Sequence, residues 1–413
     1  MRTNGERVRP RDSDHNGPSN SKMSSEPSSS LAQQFQQRFH EKQAEIVSLT
    51  RALVETESPS GDESGSRAVV DLLASAAAEA KCVSAIERVN APSFGQHLVI
   101  RAFGDQSDSG TVMIVGHTDT VHTRGSVAER PWRVEGNRIY GPGIFDMKAN
   151  CALAIAVLHA CDDLMIVPCY GVTLALTCDE EVGSYSGWPL LGKLARSSAV
   201  RCALILEPPV SGGSVKTRRK GTGMFTMKIE GRAAHAGLEP EKGASAIVEL
   251  ARQVERLHAL NDLGGGITVN VGVIHGGTRS NVVAAEAQAE IDVRFSSREE
   301  LKEIEKAVLK IKPFDERVRV TVSGGVNRPP LERTPQVVEL YELARNIATS
   351  MGFELREAQV GGASDGNFLA AMGIPVLDGL GIDGDGAHAA HEHIIVDDIP
   401  RRGALLAGLI AAL

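Results

Sequence analysis

Residues 111–121 read TVMIVGHTDTV, an apolar run that stops abruptly at histidine, threonine and aspartate. Such a run, closed by Gly116, predicts a short strand buried on both faces. Three similar runs flank it in the chain, HLVIRAF at 97–103, VTLALT at 172–177 and ALILE at 203–207, with an alanine-rich helix over 150–160 between the second and third strands. Upstream, Leu31, Phe35, Phe39, Ile46, Leu49 and Leu53 recur at helical spacing and form one apolar stripe. The segment SPSGDESGS at 58–66 breaks that helix, and residues 66–80 resume one. Strands alternating with helices predict an α/β fold, a three-layer domain around a central mixed sheet.

From about Gly221 the pattern changes. A strand at 223–231, a helix at 244–257, strands at 267–274 and 285–295, a helix at 297–311 and a strand at 318–322 follow in order. That β-α-β-β-α-β order is the ferredoxin-like split unit. After NRPP at 327–330, a helix over 335–351 and a strand in IPVLDGLG at 374–381 return to the first pattern. The chain therefore divides into a tail (1–30), a first part of the large domain (31–220), an inserted small domain (221–326) and the rest of the large domain (327–413). The tail is rich in Ser, Pro, Asn and charge, and no ordered structure is expected there.

With 413 residues and 42% hydrophobic side chains, two well-packed domains are expected. A net charge of −8 argues against a nucleic-acid partner. No apolar run is read as reaching the roughly 18 residues of a membrane span, so no membrane partner is expected. The N-terminus lacks the apolar core of a secretory signal. Cys82, Cys151, Cys161, Cys169, Cys178 and Cys202 form no CxxC pair, which suits a reducing cytoplasm.

Chemistry concentrates where strands end. His117 and Asp119 are two apart in an extended segment and leave on one face, so Asp119 is positioned to accept the far ring N–H of His117. In GPGIFDMKAN (141–150) a Gly/Pro loop carries Asp146 to a helix start, where aspartate also serves as an N-cap. In TCDEEVGS (177–184) two adjacent glutamates, Glu180 and Glu181, diverge, so one can bind a metal while the other takes a proton from water. Glu207 ends a strand against two prolines, and GAHAAHEHI (386–394) offers His388, His391 and His393. In open α/β sheets the carboxyl edge of the strands is where ligands bind. Two histidines and three carboxylates suit a pair of zinc ions, since −3 on the protein against +4 on the metals leaves a surplus that stabilises hydroxide. That no GxGxxG runs from a strand into a helix argues against a dinucleotide-binding oxidoreductase.

HTDTV, RVEGNRIYGPGIFDMK, DEEVGS, EPP, GRAAHAG, SNVV, DVRF and GGASDGN occur in this order between about residues 40 and 410. By these motifs the chain resembles the zinc aminoacylases and carboxypeptidases, a family that includes glutamate carboxypeptidases of the G type, acetylornithine deacetylase and succinyl-diaminopimelate desuccinylase. The resemblance implies a two-zinc hydrolase, with cobalt able to substitute, that cleaves amide bonds beside a free carboxylate. Its substrates would be peptides, as for a glutamate-type carboxypeptidase, or N-acyl amino acids, as for a deacylase.

By the same resemblance Asp146 bridges the metals, His117 and Glu207 complete one site, and Glu181 and His388 the other. His388 is singled out because Glu392 follows four residues later. Glu180 is the general base and Asp119 holds His117. The inserted domain would be a lid and a homodimer surface, with His235 steadying an oxyanion and Asn281, Arg294 and Arg328 holding the substrate's carboxylate. Arg294 reads equally as a salt-bridged strand end. Two departures from the pattern are Ala149, where glycine is common, and His122, where an aromatic residue or proline is common; the second is expected to alter the pocket rim. A catalytically silent metal-binding relative would have lost the base or a ligand, and all of these residues are present.

Overall fold

A computed structural model describes residues 29–262 and 266–413. Its centre is a six-stranded mixed sheet in which the strand Thr111–His117 lies between Gly171–Thr177 and Val200–Ile205, both parallel to it. Val376–Leu377 adds a further parallel strand beside Val200–Ile205, while Gly95–Ala102 and Val83–Ala91 extend the other side antiparallel.

Every residue of Thr111–His117 is buried, because both faces are covered. Val112 and Ile114 pack into one apolar cluster with the helices Ser29–Glu41, Gln43–Glu55, Glu63–Ala78, Ala149–Asp163 and Asp398–Ala412. Met113 and Val115 face the opposite way, onto Leu191 and Leu194 of Gly187–Ser197 and Leu369 of Gly366–Ala371. Alternation along a strand thus produces the three layers expected from the sequence.

Residues between these segments build a second sheet of four antiparallel strands. Their spatial order is Thr268–Gly276, Glu286–Phe295, Gly221–Glu230 and Arg319–Arg328. The helices Ala246–His258 and Arg298–Leu309 cover one face of that sheet, around a core of their own that includes Phe225, Met227, Ile291 and Phe295. The opposite face leaves Met224 exposed, and Val273 and Ile274 are exposed on the edge strand.

Several local expectations change. The expected tail falls outside the described residues except for Ser29 and Ser30, which open the first helix. The apolar stripe after it is split into two helices at Lys42. The helix expected from residue 66 starts at Glu63, because Asp62 accepts hydrogen bonds from the free N–H groups of Ser64 and Gly65. Val83–Ala91 passes unread because it is an edge strand with most side chains in or near solvent.

Contrary to the expectation that no apolar run reaches membrane length, Ile144–Asp163 meets that test by length and composition. Most of it is buried in the core, against the helical face of the sheet. All six cysteines are free.

The N-terminal and C-terminal helices seal that face. Phe39 is buried, and a Cβ at Gly403 would lie 2.3 Å from its ring, so the two helices pack there without room for a methyl group. Phe39→Ala is expected to destabilise the fold by about 3–5 kcal/mol, read as a lowered urea midpoint; an unchanged midpoint would remove this packing from the account.

Candidate metal centre and active site

The parallel strands converge on one edge, and the chain leaves each of them carrying an ionisable side chain. His117 is the last residue of its strand and pairs in register with Thr177, which leads into the turn bearing Glu180 and Glu181. Glu207 follows the next strand, where the N–H of Leu206 still donates to the carbonyl of Val115. Asp146 comes from an irregular turn, Ile144–Lys148, rather than from a helix cap; its backbone is non-helical and its peptide bond to Met147 is cis. His388 sits on the C-terminal loop with a left-handed backbone, φ +64°.

These residues meet in two groups that share Asp146. The ligand atoms of His117, Asp146 and Glu207 lie within 4.8 Å of one another, as do those of Asp146, Glu181 and His388. Oδ1 of Asp146 is 3.1 Å from Nε2 of His117, and Oδ2 is 3.4 Å from Nε2 of His388. Glu207 Oε1 stands 3.7 Å from His117 Nε2, and Glu181 Oε2 stands 3.1 Å from His388 Nε2. Neither His391 nor His393 is among the residues of these two groups; the His393 ring lies tilted against Tyr140 at 5.0 Å, with Nδ1 2.9 Å from the His391 carbonyl.

The electrostatics explain why cations belong here. Burial raises the Glu180 carboxyl well above its ordinary range, and the charge of Glu207 raises it further. Burial, then the charge of Asp146, raises Glu207 to about 7, and burial also raises Glu181. Against the opposing effect of burial, hydrogen bonds to Asp119 and Asp146 hold His117 well above the usual imidazole range. Hydrogen bonds to Asp146 and Glu181 raise His388 to about 10. Glu181 Oε1 is buried with no hydrogen-bond partner. Excess buried negative charge, an unpartnered carboxylate oxygen and imidazoles turned toward carboxylates fit a pair of divalent cations.

Surrounding residues fix this arrangement. The carboxylate of Asp119 accepts from Ser60 Oγ at 2.6 Å and from the backbone N–H groups of Glu180 and Glu181 at 3.1 and 3.2 Å. Its contact with His117 is made chiefly through its backbone carbonyl, 3.0 Å from Nδ1, with the carboxylate at 3.5 Å. Asp119 thus ties the His117 strand end to the glutamate turn. Behind Glu207, the buried Arg219 donates to Asp378 at 2.7 and 2.9 Å and reaches Glu207 at 3.4 Å. Sequence reasoning missed Arg219 and Asp378: Arg219 ends the basic stretch VKTRR, Asp378 follows the short strand Val376–Leu377, and neither stands in a motif that marks it.

The expected carboxylate-holding residues are not gathered in one place. Arg328 is buried and donates to Glu180 Oε1 at 2.9 Å, to the Glu180 carbonyl at 3.2 Å and to Ser184 Oγ at 2.8 Å, with Asp365 at 3.6 Å. Arg294 is held by Asp292 at 2.8 and 2.9 Å, the strand-end ion pair that its sequence context also allowed. His235 and Asn281 are exposed neighbours in the small unit, where the N–H of Ala236 donates to the Asn281 carbonyl. Among the described residues, no hydrogen bond or ion pair joins His235 or Asn281 to the metal-ligand cluster. His122 is buried, not a rim residue, and lies 2.6 Å from Glu392.

Raised pKa values give the metal-free chain a definite pH dependence. Glu207 at about 7 and His388 at about 10 each bind a proton more tightly folded than unfolded, where ordinary values are about 4.3 and 6.5. Their stabilisation is complete below the unfolded values and is lost as pH rises through the folded ones. The melting temperature of chelator-stripped protein is therefore expected to fall between about pH 5 and 9, and zinc is expected to flatten that slope. A melting temperature that rises with pH over this window would contradict the charge balance described.

The match to the family model for Peptidase family M20/M25/M40 covers residues 113–412. Carboxypeptidase G2 of Pseudomonas sp. (strain RS-16) is 30% identical over 306 residues, 72% of this chain and 73% of that protein. A succinyl-diaminopimelate desuccinylase of Delftia acidovorans is 29% identical over 324 residues, 74% of this chain and 82% of that one. Two solved structures share the fold. Aminopeptidase PepT of Bacillus cereus aligns with a TM-score of 0.74 at 22% identity, covering 90% of this chain and 98% of its own. The Bacillus subtilis YXEP protein, a dinuclear metal binding peptidase from the M20 family, aligns with a TM-score of 0.67 at 14% identity, with coverages of 90% and 98%. The matched span takes in every member of the clustered site, and the chain belongs to peptidase family M20/M25/M40, a family of metal-dependent hydrolases.

Proposed function

We propose that this protein is a two-zinc exopeptidase that cleaves the amide bond next to a free carboxylate and releases a C-terminal amino acid, glutamate above all. The observation that carries the reading is the division of Asp146, with one oxygen toward His117 and the other toward His388. In this reading His117, Asp146 and Glu207 hold one zinc, and Asp146, Glu181 and His388 hold the other. When bound, two such ions acidify water and polarise a carbonyl.

Glu180 is the proton carrier. Burial makes its carboxyl willing to keep a proton, which suits a group that accepts one from the attacking water and passes it to the departing amine. Arg328 fixes its rotamer and supplies countercharge through the 2.9 Å bond. Asp119 holds the turn from below, so that the base and the neighbouring ligand Glu181 keep different directions.

The four-stranded unit acts as a lid in this proposal. His235 and Asn281 are linked through backbone bonds and travel together, bringing an oxyanion donor and a carboxylate-binding amide to the site on closure. Arg294 joins them by exchanging Asp292 for the substrate's carboxylate. The edge strand Thr268–Gly276, with Val273 and Ile274 exposed, and the exposed Ile247 and Val248 of the adjoining helix suit a homodimer contact.

A second reading, an N-acyl-amino-acid deacylase using the same centre, is favoured by the similarity to succinyl-diaminopimelate desuccinylase. Zinc- and cobalt-loaded protein assayed on C-terminal glutamyl dipeptides, folate-like compounds and N-acetyl or N-succinyl amino acids separates the two. Glutamyl release is expected to dominate, and exclusive removal of the acyl group would transfer the proposal to the deacylase reading. Glu180→Gln is expected to keep its zinc and its fold while kcat drops by roughly 10²–10⁴. Turnover near that of the parent would reject Glu180 as the base.

A further inference from the structure

Glu392 is 2% exposed and lies on the same loop as His388, yet its carboxylate points into the turn that carries Asp146. Oε1 accepts from the backbone N–H groups of Phe145 at 2.9 Å and Asp146 at 3.0 Å. Oε2 accepts from the N–H of Gly143 at 2.7 Å and from His122 Nε2 at 2.6 Å. Two donors on each oxygen fill the accepting capacity of a carboxylate. The turn needs such an acceptor, because Gly143 is left-handed and Asp146 and Met147 are non-helical, which removes the regular partners of these N–H groups.

The orientation of His122 follows from its other side. Nδ1 faces Arg130 Nη2 at 3.4 Å, and a guanidinium can only donate. Nδ1 is therefore the accepting nitrogen and the ring proton sits on Nε2, aimed at Glu392. His117 and Glu207 come from strand ends that Glu392 does not touch. The distance between Asp146 and His388, by contrast, joins two irregular segments, and Glu392 bonds one while belonging to the other.

We propose that Glu392, secured by His122, is a positioning residue that sets the second metal site by holding the Asp146 turn against the His388 loop. This rests on the two-zinc reading above. It also gives His122 a role beneath the site that its place in the motif did not suggest. A purely structural role would lower stability without distinguishing the two halves of the centre, whereas a positioning role weakens chiefly the half that takes both Asp146 and His388 from the two irregular segments, the other half keeping His117 and Glu207 on strand ends.

The test is zinc titration of the chelator-stripped full chain against a chromophoric zinc indicator, with a melting curve of the metal-free protein alongside. The parent chain is expected to take up two zinc ions. In Glu392→Gln one ion is expected to stay within about threefold of the parent and the other to lose roughly 10–100-fold in affinity. His122→Phe, which removes one donor, is expected to weaken the second ion roughly tenfold, and His122→Gln, which restores an N–H donor, to return it to within about threefold. Should Glu392→Gln fail to fold, the His122 pair decides. Two unchanged binding events in the variants, or equal weakening of both, would overturn the positioning role. Fewer than two zinc ions on the parent chain would overturn the underlying two-zinc reading instead.

Discussion

Negative charge buried at one edge of a sheet is the constraint to which the rest of this structure answers. Asp146, Glu180, Glu181 and Glu207 all stand within or beside one cluster, largely out of water. Withdrawing one carboxylate from water costs several kcal/mol, and two like charges about 4 Å apart repel by roughly 4 kcal/mol even at an effective dielectric of 20. A charged hydrogen bond returns about 1.5–3 kcal/mol. One arginine on Glu180 and one beside Glu207 balance only part of this charge; in the metal-free chain the rest falls to protons held on His117 and His388, and divalent cations at those positions would replace them.

The protein meets the constraint with rigid elements in front and irregular ones beside them. Parallel strands bring His117, the glutamate turn and Glu207 to a common edge, and the register of His117 with Thr177 fixes their relative height. Asp146 and His388 come from segments with non-helical or left-handed backbone, whose geometry is maintained by side chains rather than by a ladder of main-chain bonds. Glu392 supplies acceptors to one such segment, and Asp119 does the same for the 180–181 turn. Arg219 and Asp378 form a buried pair behind Glu207. Carboxylates thus act here both as the proposed metal ligands and as the acceptors that hold those ligands.

The three layers were legible because the strands are short, continuous apolar runs and the helices keep a clear period. Motifs such as HTDTV and DEEVGS were legible because charge at the end of a buried strand is costly and conspicuous. Pairwise contacts were not. Glu392 served only to single out His388, since sequence spacing does not reveal which backbone N–H groups converge on a carboxylate. His122 read as a rim residue because its direction depends on Arg130 and Glu392, eight and 270 positions away. Arg328 read as a carboxylate binder, and its bond to Glu180 joins two segments 148 residues apart. Val83–Ala91 escaped notice because an edge strand needs no apolar alternation.

The most direct measurement is anomalous diffraction at the zinc edge from crystals of the zinc-loaded protein. The expected map has two peaks flanking Asp146, each about 2.0–2.2 Å from ligand atoms, one shared with His117 and Glu207 and the other with Glu181 and His388. A single peak, or peaks that leave Asp146 uncoordinated, would contradict the shared-ligand centre from which the proposed chemistry follows.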